Sequence, residues 1–143
     1  MDMRRIASII VIVLATVAAT GCGGGQSEAD KAKSQACDAS ADIKAQITTL
    51  SNLPLSTSSV DTAKTSLQKI DTDLKTISDA APKVSDDLRS QLQDANATFK
   101  TEVQQATDAI TSAQSLSDAA TAVAAAGSTL QASYEKAFAN VKC

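Results

Sequence analysis

From Ser27 to the end of the chain at Cys143 there are two prolines, Pro54 and Pro82, and a single glycine, Gly127. So few residues that break a helix, in a stretch rich in Ala, Gln, Lys, Asp, Ser and Thr, leave long helices as the expected local structure. Apolar residues recur there at alternating spacings of three and four, the interval at which side chains share one helix face. Four such stripes are read. The first is Ala29, Ala32, Ala36, Ala39, Ile43, Ile47 and Leu50, and the second Val60, Ala63, Leu67, Ile70, Leu74, Ile77 and Ala81. The third is Val84, Leu88, Leu92, Ala95, Phe99, Val103, Ala106, Ile110 and Ala113, and the fourth Leu116, Ala120, Val123, Gly127, Leu130, Tyr134, Ala137 and Val141. Narrow stripes of this kind, close to a coiled-coil seam, predict an all-α, antiparallel up-down-up-down four-helix bundle over residues 29–143.

The breaks between stripes carry their own chemistry. Leu53-Pro54-Leu55-Ser56-Thr57 stops the first helix and Ala81-Pro82 separates the second from the third. The third break rests on Ser115-Leu116-Ser117-Asp118, where serine followed three residues later by a carboxylate has the pattern of a capping box. Asp61, Asp86, Asp87 and Asp118 are expected in first turns, and Lys136 and Lys142 near the last helix's end, as the helix dipole favours. Leu, Ile, Val and Phe make up only 21 of the 122 residues after Gly21. With small net charge and apolar residues in phase, that scarcity predicts a slender, alanine-rich bundle, not disorder. Gly127 is expected to let two backbones approach closely.

Residues 1–21 have the layout of a secretory signal: Arg4 and Arg5, an uncharged apolar run from Ile6 to Ala19, then small residues up to Gly21. Fourteen residues make about 21 Å of helix, short of the ~30 Å that a permanent span must cross. Ala18-Ala19-Thr20-Gly21-Cys22 resembles the lipobox of bacterial lipoprotein precursors. Position three before the cysteine, most often leucine in that family, is Ala19 here. The resemblance covers about the first 25 residues and implies cleavage between Gly21 and Cys22. Cys22 would then carry diacylglycerol, and as a further acyl chain palmitate, and residues 22–28 would be a flexible tether beginning Gly23-Gly24-Gly25. The implied place is the cell membrane, lipid-anchored, on the extracytoplasmic side. The glycine run and a disulfide near the anchored end also resemble small envelope lipoproteins of high-GC Gram-positive bacteria.

Export to an oxidising compartment would leave Cys37 and Cys143 as the remaining thiols, and a disulfide between them is expected. Closing a loop of that length stabilises by up to about 4.7 kcal/mol on chain entropy. Helix lengths agree with it. At about 1.5 Å per residue, helices over 59–80, 83–113 and 116–143 bring Cys143 to about 27 Å below the join of helices one and two, and Cys37 lies about 22 Å below it. A redox-active pair is not expected, since such cysteines usually sit close together in sequence.

Composition excludes much chemistry. The chain has no histidine and no tryptophan, one tyrosine and two phenylalanines, so zinc enzymes, Ser-His-Asp hydrolases and Cys-His proteases are ruled out. Few aromatic platforms and a net charge of -3 argue against a nucleic-acid partner. Asp71/Asp73 and Asp86/Asp87 sit one or two apart on helices and point in different directions. Asp71-Thr72-Asp73 lacks the glycine and closing glutamate of a calcium loop. Asn96-Ala97-Thr98 matches a glycosylation acceptor, which the bacterial reading makes a chance match. No catalytic residue, metal site or cofactor is expected. The expected function is a membrane-anchored envelope lipoprotein whose non-catalytic bundle is an interaction or structural module, held to membrane lipid by its anchor and meeting an envelope protein. The alternative is a carrier or sensor-like bundle that holds a small apolar ligand near Phe99, Tyr134 and Phe138.

Overall fold

A computed structural model describes residues 27–54 and 56–143. The signal, Gly21, Cys22 and the glycine run lie outside the described residues. Four helices follow one another: α1 (Glu28–Ser51), α2 (Thr57–Ala80), α3 (Asp86–Thr111) and α4 (Leu116–Ala137), with a 3-10 turn at Ala81–Lys83 between α2 and α3. They form the expected antiparallel four-helix bundle, and among the described residues no helix is long and apolar enough to cross a membrane.

Two helices start the same way. Ser27 Oγ accepts from the N–H of Asp30 at 3.1 Å and donates to its carboxylate at 2.8 Å, and Ser115 repeats both bonds with Asp118 at 3.1 and 2.7 Å. Each pair satisfies an N–H that has no partner inside the helix. The serine cap expected at Ser115 is present, with the Asp118 carboxylate accepting from the serine hydroxyl, and the same cap at Ser27 places the start of α1 within the stretch read as tether. At the α1–α2 turn, the hydroxyl of Ser59 donates to the carbonyl of Pro54 and also meets Ser56 Oγ at 2.7 Å. Asp61 falls beyond the first turn of α2, because that helix begins at Thr57.

The tight turn from α2 to α3 is held by Arg89, whose fork donates to the carbonyls of Ala81 (3.4 Å), Pro82 (3.1 Å) and Val84 (3.4 Å) and pairs with Asp86 at 3.0 Å. One planar group with five donors can serve several carbonyls that no helix satisfies. The third helix therefore starts at Asp86, three residues later than 83: Pro82 sits in the 3-10 turn and Val84 is extended. The fourth helix stops at Ala137 and does not run on to 143.

Three of the four stripes are buried almost as drawn. Ile43, Ile70, Ile77, Phe99 and Leu130 are fully enclosed. Ala29, one residue into α1, is exposed. In the fourth stripe Leu116 is 60% exposed and Ala120 half-buried, whereas Val123, Gly127 and Leu130 are buried, and Ala119 and Ala126, which lie outside the stripe as read, are buried beside them. Leu116 is the first residue of its helix and stands beyond the seam, so the buried face begins a turn later. α1 packs on α2 and α4, and α3 packs on the same two. α2 and α4 also touch across the diagonal while α1 and α3 do not. The small residues of α4 permit that approach, since Ala and Gly add little thickness between backbones.

Gly127 faces the end of α1. A Cβ added there would stand 3.0 Å from the backbone N and Cα of Ser51, tight enough that the end of α1 must give by a few tenths of an ångström. We expect Gly127→Ala to lower the melting temperature: overpacking costs about 1–3 kcal/mol against about 1 kcal/mol gained in helix propensity. Thermal denaturation followed by circular dichroism checks this, and a higher melting point would show that α1 yields freely.

Candidate functional site

All three aromatic residues of the chain meet at one end of the bundle. Phe99 comes from the middle of α3, Tyr134 from the last turns of α4, and Phe138 caps that helix. Phe99 meets both other rings edge-on, with centroids 5.8 Å from Tyr134 and 6.0 Å from Phe138, while Tyr134 and Phe138 stack at 4.7 Å. Edge-to-face and offset contacts of this kind add about 0.5–1.5 kcal/mol each beyond the area they bury.

The phenol of Tyr134 reaches across to α1. Its Oη donates to the backbone carbonyl of Ser40 at 2.9 Å and lies 2.7 Å from the Ser40 hydroxyl, which can then donate to it. Ser40 is a buried polar residue and finds its partner 94 positions away. One turn below it, Cys37 is joined to Cys143 with Cα atoms 5.6 Å apart, inside the range that a disulfide spans. The expected pairing is present, though by a different route. α4 ends early and residues 138–143 fold back toward α1.

The three expected ligand residues are therefore together but not equivalent. Phe99 is fully buried in the core. Tyr134 and Phe138 border an open depression of about 310 Å³, with Cys37, Ser40, Lys44 and Cys143 among its other walls. A longer groove of about 690 Å³ runs between α2 and α3 past Leu67 and Val103, rimmed by Lys64, Asp71 and Asp108. Among the described residues no group of three Asp, Glu, Cys or His side chains is placed to hold a metal ion. Two amide oxygens, Gln91 Oε1 and Asn96 Oδ1, are buried without a partner among those residues. Asn96 lies inside α3, a position unlike the exposed loops that accept glycans.

Sequence reading missed Arg89 and Ser40. It also took Asp73 only as one of two neighbouring carboxylates that point in different directions. Burial pushes the Asp73 carboxyl above the usual carboxylate range, Asp42 adds like-charge repulsion, and Lys69 opposes the rise. A group whose pKa is higher folded than unfolded contributes stability below the unfolded value and loses it as pH climbs through the folded one. Ionised Asp73 therefore costs stability at neutral pH. Asp73→Asn is expected to raise the melting temperature at pH 7, with the gain shrinking as both proteins are acidified below the carboxylate range. Parallel melts across that range check it, and a gain independent of pH would remove the charge explanation.

No family model, curated protein or solved structure matches this chain.

Proposed function

We propose that the protein is a bacterial envelope lipoprotein, anchored through diacylglycerol on Cys22, whose helical bundle is a non-catalytic interaction or structural module. The observation that carries this reading is the run Ala18-Ala19-Thr20-Gly21-Cys22 behind an apolar stretch and ahead of three glycines. The anchor would lie a few residues before Ser27, which caps the first helix. The bundle offers a rigid body to such a tether: four helices, a disulfide from α1 to the end of the chain, and a core of interleaved aliphatic side chains. The domain after Gly21 is mildly acidic, with 15 acidic and 11 basic residues, so anionic lipid would repel it and keep it standing off the surface.

Cys22→Ala is expected to move the protein from the membrane fraction to the medium or soluble envelope fraction. Membrane retention of the variant would overturn the anchor. Crosslinking of the anchored form in living cells, read by mass spectrometry, is the companion measurement for the interacting protein.

A second reading, a carrier of a small apolar molecule, is favoured by one observation: Tyr134 and Phe138 border the open depression of about 310 Å³. It requires that lipids extracted from the cell displace an apolar dye from the domain. Dye that never binds, or that extracts leave in place, sinks it.

A further inference from the structure

Two ties of different kinds hold the end of the bundle where the chain finishes. The first is non-covalent: Tyr134 Oη bonds the backbone and hydroxyl of Ser40, and the Phe99 ring wedges against Tyr134 and Phe138. It joins α4 to α1 without involving any residue after Phe138. The second is the bond from Cys37 to Cys143. Between the two runs a segment with little to hold it. α4 has ended, Ala139, Asn140, Lys142 and Cys143 are exposed, and only Val141 packs partly against the core. The segment's one backbone bond among the described residues runs from Val141 N–H to the carbonyl of Phe138, the cap of α4, at 3.1 Å. Ordering several residues costs more backbone entropy than one half-buried valine returns.

We propose that the Cys37–Cys143 bond, too widely separated in sequence to be a catalytic redox pair, is a structural latch that an outside reductant opens: its reduction frees residues 139–143 and opens the depression beside Tyr134 and Phe138, while the four helices stay folded. Access favours the chemistry, because Cys143 is exposed and Cys37 only half-buried. With a small dithiol as reductant, its thiolate forms a bond to Cys143 Sγ, the Cys37–Cys143 bond breaks, and Cys37 leaves as a thiolate that takes a proton from water. The second thiol of the reagent then displaces Cys143, which is protonated in turn. The reagent closes to a cyclic disulfide, and two electrons have passed to the protein. The latch does not depend on the lipoprotein reading, since it uses only residues of the bundle.

Limited trypsin digestion of the full-length protein in mild detergent, with and without the dithiol, tests this. Reduction is expected to speed cleavage after Lys142 roughly tenfold or more, as local opening at one end should, while cleavage after Lys136, which lies within α4, stays slow. Cleavage after Lys69 and Lys100 and the helical circular dichroism should stay unchanged at low temperature. Cys143→Ser should behave as the reduced protein without reductant and gain nothing from it. Oxidised Tyr134→Phe should keep Lys142 protected. Unchanged rates on reduction would show that the segment holds itself and would overturn the latch. Equal acceleration at every lysine with loss of helical signal would overturn it as well, because the bond would then be holding the whole bundle. Rapid terminal cleavage in oxidised Tyr134→Phe would move the tie to the hydrogen bond.

Discussion

A chain with so few large apolar side chains can bury a core only if its helices come very close, and that constraint shapes the whole molecule. The first turns of α1 contribute Ala32, Ala36 and Ala39, and α4 contributes Ala119, Ala126 and Gly127, all buried. Where α1 ends against Gly127 no atom can be added without moving backbone. Close approach substitutes for bulk: dispersion and burial depend on area brought together, and small side chains give that area when backbones are near. The diagonal contact between α2 and α4 is the same bargain seen from the other side.

Aromatic bulk is concentrated at the end where the chain terminates. Phe99, Tyr134 and Phe138 bring volume to the end at which Ala32, Ala36 and Ala39 begin α1, and the disulfide lies beside them. The opposite end is of another character. No charged residue occurs from Ala45 to Val60 or from Ala109 to Ser117, the two stretches that hold the α1–α2 and α3–α4 turns. At the α2–α3 turn Arg89 does by hydrogen bonding what serine hydroxyls do at the first of these.

The four helices, their order and the cysteine pair were legible because each leaves a periodic or countable trace. The spacing through Leu67, Ile70, Leu74 and Ile77 can be satisfied by one helix face only, and two cysteines allow one pairing. The ends of α3 and α4 were less legible. Pro82 is compatible with the start of a helix or with a 3-10 turn, and the alanines and valine around Phe138 suit a helix that nevertheless stops. Leu116 misled because an apolar residue at the right phase but in a first turn need not reach the core. The bond from Tyr134 to Ser40 leaves no local trace at all: serine is common on this chain, and only the packing of α4 on α1 selects the one that matters. Arg89 was hidden for the same reason, since its partners are carbonyls that every residue possesses.

The aromatic cluster has an optical consequence. The chain has no tryptophan and a single tyrosine, so its useful intrinsic fluorescence originates from one phenol. That phenol sits on the joint between α1 and α4, beside the disulfide and bonded to Ser40. An emission signal from this protein therefore reports the state of one end of the bundle. The uncharged end is dark, and an unfolding curve recorded by fluorescence and one recorded by helical circular dichroism will coincide only if the two ends come apart together.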